Sequence, residues 1–457
     1  MSFVTPSRRR LLQIAGASAL APGLSALRRH GVVGRVLAVS DMHSAYERIG
    51  QLLAAFEGEV RSQAVPHVIA IDGDIFEHGD VVAVRSGGAI DWAFLAEAAR
   101  LAPTVVNIGN HDNDLTPDLA EVVGRMRSIG VVVVSNIVDT RTQAGYAEPV
   151  ANVAFGSRSL RVVGMATNAL NTYPQASRAQ LSIPDPAEWA GARLPGLLDG
   201  ADLRLVLSHA GVAADKTILP LLPDGSLMIG GHNHLLFQHR QGRSAYAHTG
   251  SWTNAYTVAE YLEDGTVTVA SRPVATEAAA SPRLRNLIAE TLAAHLTDED
   301  RVVLGASPRA LSLGDTGRRV ATGLADAAGA DVGFIGHTTL GMGAPAGAVS
   351  RYVFDSIVRF DGSLMVADAP RAQVEGFMAR ANQDRPMPLE ERSGDFLYGA
   401  AASAPMTAAI EDDRVRIVTT DWCAANQGEY FGTTGLQFSE VADRKVKAVS
   451  IAALLDA

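Results

Sequence analysis

A chain of 457 residues, 47% hydrophobic and 19% charged, can bury a large core, which excludes an intrinsically disordered protein. A formal net charge of -10 excludes a general binder of nucleic acid polymers, which needs a basic face to displace counterions. With one cysteine, Cys423, the chain has neither an intrachain disulfide nor a thiolate cage, so any metal has to be held by imidazole and oxygen.

The first segment in chain order is Ser7-Arg8-Arg9-Arg10-Leu11-Leu12-Gln13, followed by a weakly apolar stretch to about Leu27. This is the pattern of a twin-arginine export signal and predicts a periplasmic or secreted protein; a basic amphipathic helix on a cytoplasmic protein is the alternative. Gly16, Pro22 and Gly23 interrupt the stretch, which is short for a bilayer, so no stable membrane span is expected. Residues 1–30 are therefore set apart from the fold.

From 31 to 275, short β-branched runs alternate with Ala/Leu-rich helical stretches, the pattern of a layered α/β domain. Four apolar runs stand out: Arg35 to Val39, His67 to Ile71, Thr104 to Ile108 and Leu203 to Leu207. They lead into Ser40-Asp41, Asp72-Gly73-Asp74, Gly109-Asn110-His111 and Ser208-His209. Polar residues just past the carboxyl ends of buried strands are where open α/β sheets bind ligands. An Ala-rich stretch closed by Pro282 and a predicted helix from Arg283 to about Leu296 make 276–300 a connector. Residues 301–457, again mixed in pattern, form a second domain.

Asp41-Met42-His43 and His232-Asn233-His234 each put two donors on one side of an extended segment, because strand side chains alternate. Asp74 adds a carboxylate that two cations can share, Asn110 a neutral oxygen and His209 a further imidazole. Such a thiolate-free set suits Zn, Mn, Fe or Co. Seven ligands exceed the needs of one ion and match two divalent ions that share a carboxylate.

Asp41-x-His43, Gly73-Asp74, Gly109-Asn110-His111-Asp112, Ser208-His209-Ala210-Gly211 and Gly231-His232-Asn233-His234 together resemble the calcineurin-like metallophosphoesterase signature. The layout resembles the bacterial 5'-nucleotidase and UDP-sugar hydrolase branch. The resemblance implies a four-layer α/β β-sandwich flanked by helices, followed by a C-terminal α/β substrate domain. It also implies that Asp41, His43 and His234 hold one metal, that Asn110, His209 and His232 hold the other, and that Asp74 bridges them. His111 and Asp114 match the catalytic pair of the branch. The implied reaction is hydrolysis of phosphate monoesters, nucleotides or related small phosphorylated metabolites, by metal-bound hydroxide. Alternatives on the same centre are a cyclic nucleotide, a nucleotide sugar or a sulfur ester as substrate; a non-catalytic binding protein on this fold is the third.

In the branch, two aromatic side chains sandwich the base and a glycine-rich Asn/Arg segment holds phosphate. Arg416 to Trp422, then Asn426-Gln427-Gly428-Glu429, resembles the aromatic loop, with Trp422 expected to stack on a base and Asn426 and Glu429 to bind polar groups of the substrate. Tyr352, Phe354 or Phe396 would supply the second ring. Where the branch has its arginine segment, this chain reads Phe334-Ile335-Gly336-His337-Thr338-Thr339-Leu340-Gly341. His337, Thr338 and backbone N–H groups of this segment are expected to bind the anion more weakly there instead, and Arg351 or Arg359 to reach in, without the bidentate guanidinium clamp.

Overall fold

The computed structural model describes residues 31–404 and 413–456; the expected export segment lies outside them. Two six-stranded sheets make up its amino-terminal half. In the first, the strands run in the spatial order Val267–Pro273, Ala255–Leu262, Val32–Ser40, His67–Asp72, Thr104–Asn107 and Val132–Val134. The last four of these are mutually parallel. The second runs Leu236–Gln241, Ser244–Thr249, Leu227–Gly230, Leu203–His209, Arg158–Ala166 and Val150–Phe155, with its four central strands parallel.

Side-chain alternation assigns each parallel strand two apolar faces. Val36, Ala38, Val68, Ala70 and Val105 pack against Val162, Leu205, Leu207 and Ile229 of the other sheet. Leu37, Val39, Ile69, Ile71 and Val106 face outward, under Leu53, Phe56, Phe94, Leu95 and Met126. Burial on both faces is why these strands read as unbroken apolar runs rather than alternating ones. The covering helices are Ile49–Ser62, Ala89–Leu101 and Leu119–Ser128; Pro186–Leu198 and Val212–Ile218 cover the second sheet. The result is a helix, sheet, sheet, helix sandwich of four layers.

Within 276–300, helix Pro282–His295 begins where Ser281 Oγ accepts from the Arg283 amide and Pro282 occupies the first turn. It buries Leu284 in the core under the first sheet. The carboxy-terminal half carries a five-stranded sheet in the order Leu397–Ala401, Val332–Gly336, Arg414–Thr420, Ser363–Pro370 and Ser439–Lys445. Helix Leu313–Ala328 contributes Val320, Ala321 and Leu324 to a core that also takes in Leu219, Tyr246 and Leu194. That shared core makes Val32–Ala457 one compact unit. No helix among the described residues is long and apolar enough to cross a membrane.

The segment Arg416 to Thr420, expected as part of a loop, belongs to the central strand Arg414–Thr420. Trp422 follows it in the short helix Asp421–Ala425, capped by Thr420 Oγ1, which accepts from the Cys423 amide. Thr420 and Trp422 therefore sit at a strand end, the same kind of position as the amino-terminal polar motifs.

Candidate metal centre and cavity

The parallel strands of both sheets end on one edge of the sandwich, and the turns beyond them carry Asp41, His43, Asp74, Asn110, His209, His232 and His234. Asp41, His43, Asp74, His232 and His234 all have positive φ, between 47° and 73°. Such conformations are costly for non-glycine residues and persist where the surrounding structure enforces them, which marks these turns as built for aiming side chains. Asp112 helps enforce them, accepting hydrogen bonds from the amides of Ile75 at 2.8 Å and Gly109 at 2.7 Å, so that one carboxylate ties together the turns after two strands. Gly73 has φ +73°, and a Cβ on it would meet the Gly109 amide nitrogen at 2.5 Å, so only glycine lets these turns approach.

The donor atoms converge. His43 Nε2 lies 3.0 Å from His234 Nε2, Asp41 Oδ1 lies 3.7 Å from His234 Nε2, and these three residues form one group able to hold an ion. His209 Nε2 lies 3.1 Å from Asp74 Oδ2, and His232 Nδ1 lies 2.9 Å from Asn110 Oδ1. Asp74 Oδ2 is also 3.9 Å from His43 Nε2, which places its carboxylate between the two groups. Asp41 Oδ2, His209 Nε2 and His234 Nδ1 are buried without a hydrogen-bond partner. Orphaned lone pairs in a water-poor site carry a desolvation cost that cations would relieve, so the donor set fits divalent metals.

Supporting contacts set the ring orientations. His209 Nδ1 donates to the Asp72 carbonyl oxygen at 2.6 Å, leaving Nε2 for the centre. Asn110 Nδ2 donates to the Thr172 carbonyl at 3.3 Å, turning its amide oxygen inward. Burial, reinforced by the neighbouring histidines, lowers the pKa of His234 and takes His232 down to about 4. Both are thus neutral imidazoles, as ligands must be.

His111 lies at the cavity, with Nδ1 2.9 Å from Asp114 Oδ2, and that oxygen also accepts from the His78 amide at 2.9 Å. Burial disfavours its charge, but Asp114, Asp74 and Glu77 outweigh that and push its pKa up to about 10. An imidazolium held at Nδ1 presents Nε2 as a donor.

Two residues absent from the expected set, Glu77 and Trp252, adjoin the centre, and Arg359 joins them rather than the expected anion site. Glu77 Oε2 is 3.2 Å from His43 Nδ1, and Trp252 packs on the His43 ring with centroids 4.3 Å apart. Arg359 lies with its guanidinium 3.8 Å from the Trp252 ring centroid.

A cavity of about 650 Å³ opens from these residues towards the carboxy-terminal half and is lined there by Thr338, Phe360, Asp361, Asp395, Asp421 and Trp422. Trp422 is at the cavity as expected, 47% exposed, its indole N–H donating to Tyr430 Oη at 3.3 Å. Of the other aromatic residues in the lining, Trp252 and Tyr430 are buried and Phe360 is 46% exposed, whereas Tyr352, Phe354 and Phe396 lie outside the lining. Phe354 and Phe396 are buried in the core, and the Tyr352 hydroxyl donates to Asp80.

His337 is also displaced from its expected role. It lies outside the lining, stacked on Phe396, with Nδ1 accepting from the Phe396 amide at 3.1 Å and Nε2 donating to the Asn233 carbonyl at 2.7 Å. Both ring nitrogens are occupied, so it has none left for an anion. Asn426 and Glu429 are likewise outside the lining: the Asn426 amide donates to the Trp422 carbonyl, and the Glu429 side chain is exposed. Neither arginine reaches the cavity, because Arg351 is drawn to Glu299 at the surface and Arg359 is buried against Glu77.

Residues 34–236, the stretch that holds all seven metal-ligand candidates, match the calcineurin-like phosphoesterase family and form a domain of that family. An apyrase of Aedes albopictus is 24% identical over 163 residues, a match that covers 34% of this chain and 28% of the apyrase. The chain therefore spans less than a third of that relative's length. A 5'-nucleotidase precursor of Thermus thermophilus shares the fold with a TM-score of 0.59 and 18% identity, covering 92% of this chain and 96% of its own. The sulfate thiohydrolase SoxB of Thermus thermophilus shares it with a TM-score of 0.62 and 14% identity, covering 93% and 94%.

Proposed function

We propose that this protein hydrolyses phosphate monoesters of small metabolites, nucleotides among them, with two divalent metal ions. The observation that carries the proposal is the convergence of two groups of donors, with the Asp74 carboxylate between them, beside His111 at a cavity. Asp41, His43 and His234 would hold one ion, Asn110, His209 and His232 the other, with Asp74 between them. Bound there, two divalent ions supply the Lewis acidity and the lowered water pKa that phosphomonoester hydrolysis needs.

The chain's own side chains do the rest. His111 Nε2 donates a hydrogen bond to a phosphoryl oxygen or a proton to the departing alcohol, while Asp114 holds the ring in place. Trp422 and Phe360 offer flat faces to the organic part of the ester. Buried walls around the centre keep bulk water from competing with these contacts. The similarity to a 5'-nucleotidase and an apyrase supports a phosphorylated substrate of the nucleotide kind. Export through the segment Ser7 to Gln13 belongs to the same proposal, and retention in the cytoplasm of a reporter fused to an Arg8→Lys, Arg9→Lys form would test it.

The test of the activity is hydrolysis of a chromogenic phosphate monoester by the chelated protein and after addition of Mn or Co. Metal should restore turnover, and Asp74→Ala should lose both metal and turnover. Release that chelation leaves unchanged would refute the proposal.

A further inference from the structure

The cavity wall facing the candidate metal ligands is acidic and carries no lysine or arginine among its described lining residues. Asp361, Asp395 and Asp421 line it. Each of the three is held by neutral donors. Asp361 Oδ1 accepts from the amides of Gly362 and Lys447, at 2.9 and 3.0 Å. Asp395 accepts from Asn233 Nδ2 at 2.7 Å and from the Tyr430 hydroxyl at 3.2 Å. Asp421 accepts from its neighbouring Trp422 amide at 2.8 Å and from the Ser363 amide at 3.2 Å. Glu77, on the metal side, is different, since the Arg359 guanidinium lies 3.3 Å from it.

Backbone amides and amide side chains fix carboxylates in place without neutralising them. Three such charges in one recess set up a field that repels any second anionic group on a molecule whose phosphoryl end is at the metals. The same wall presents Phe360 and Trp422, each almost half exposed, as apolar surface facing inward.

We infer that the substrate is an ester whose phosphoryl group is its sole anionic group, and whose remaining part is flat or apolar, uncharged or cationic, with hydroxyl or amino donors for the carboxylates. This rests on the proposed hydrolase reading for the phosphoryl end and goes beyond it by selecting the leaving group. Nucleoside monophosphates and aryl or amino-bearing monophosphates meet the requirement. Nucleoside di- and triphosphates and nucleotide-sugar pyrophosphates do not, because their additional phosphates would face Asp361, Asp395 and Asp421.

Binding separates this from turnover. Benzylphosphonates carrying a para-methyl, para-aminomethyl or para-carboxylate group cannot be hydrolysed, and each is titrated calorimetrically into the Mn-loaded full chain. The carboxylate is expected to bind at least about tenfold more weakly than the methyl compound, and the aminomethyl compound at least as tightly as methyl. In Asp361→Asn, Asp421→Asn protein the three affinities should come within about threefold of one another, since the repelling charges are gone. Asp395→Asn provides a second variant if that protein fails to fold. Carboxylate binding as tight as methyl in the unaltered protein overturns the inference, as does an unchanged order in a folded variant. The expected order, together with no hydrolysis of the matching phenyl phosphates, supports the inference and overturns the hydrolase reading alone.

Discussion

Arg359 and Glu77, 282 positions apart in the chain, meet at 3.3 Å beside the candidate metal centre, with both side chains almost wholly buried. The same Glu77 oxygen lies 3.2 Å from His43 Nδ1, and Glu77 Oε1 accepts from the Gly79 amide at 2.6 Å. Burial would raise the Glu77 pKa, but Arg359, His43 and His111 together outweigh it and hold the carboxyl below its usual range. The two atoms do not meet in hydrogen-bond geometry, so the carboxylate favours a proton on Nδ1 through its charge alone, which leaves Nε2 towards the candidate metal site. The segment Arg359-Phe360-Asp361 therefore reaches the metal centre through its arginine and the cavity through the next two residues.

Glu77→Gln keeps the shape and removes the charge. Metal affinity should fall by about 10- to 100-fold, the usual cost of losing a partner behind a ligating histidine. Metal titration of the purified protein reads this directly, and unchanged affinity would show that His43 does not depend on Glu77. Arg359→Met should be worse for stability, because it strands a buried carboxylate at a cost of about 3–5 kcal/mol.

His111→Ala should keep its metal content and lose about 10²- to 10⁴-fold in kcat, the range for a positioned proton donor. Asp114→Asn keeps the ring near its place but removes the main charge that raises the His111 pKa, so its loss in kcat should be smaller. Metal analysis alongside the kinetics decides the assignment, since metal loss in His111→Ala would make the residue a ligand.

Asp91 predicts a pH dependence of stability away from the centre. It is fully buried, accepts from the Tyr46 hydroxyl at 2.6 Å and from the Ser44 hydroxyl at 3.2 Å, and its pKa is pushed up to about 8 by burial, with Asp80 adding to the effect. A folded-state pKa above the unfolded value means the folded protein holds a proton that the unfolded chain releases. That contribution is complete below about pH 4 and is lost as the pH rises towards 8, at no more than about 1.4 kcal/mol per pH unit. Melting temperatures of the metal-free protein from pH 5 to 9 should fall more steeply than those of Asp91→Asn. Parallel curves would contradict this.

His337 offers a test between two roles. Its removal by His337→Ala leaves the Phe396 amide and the Asn233 carbonyl without their partners, at about 1–3 kcal/mol each. Because that carbonyl lies between His232 and His234, melting temperature and metal affinity should fall together. A rise in KM alone, with both of those unchanged, would restore His337 to the substrate.

The uneven legibility of these residues in the sequence has a physical cause. Asp41, Asp74, Asn110 and His209 follow apolar runs directly, so a strand, its end and the donor beyond it are read from one short stretch. The alternate spacing of His232-Asn233-His234 singled out the pair, but not for the expected reason: both have positive φ in a turn between strands rather than an extended segment. Glu77, Arg359 and Phe360 carry no such local sign, since their roles exist only where the two halves of the chain meet. His337 was misplaced for a related reason. A histidine in a glycine-rich segment reads as an anion site, whereas tertiary contacts consume both of its nitrogens. Trp422 was legible because an aromatic residue just past a strand has the same positional logic as the metal ligands.

Phe360 and Trp422 lead to the most direct test of the cavity's carboxy-terminal wall. Both are large apolar side chains left about half exposed, and both line the same recess beyond the candidate metal ligands. Stacking of a planar group on an aromatic side chain is worth about 1–3 kcal/mol, which corresponds to roughly a 5- to 150-fold change in affinity. Phe360→Ala and Trp422→Ala should therefore each raise KM for a nucleoside monophosphate within that range while changing little for a small alkyl phosphate. If both rings grip one planar group, the double variant should lose less than the two single losses added together, because either change alone already disrupts the stack. Additive losses would mean that the rings act on separate parts of the ester. Equal losses on planar and alkyl esters would instead assign both rings to shaping the cavity.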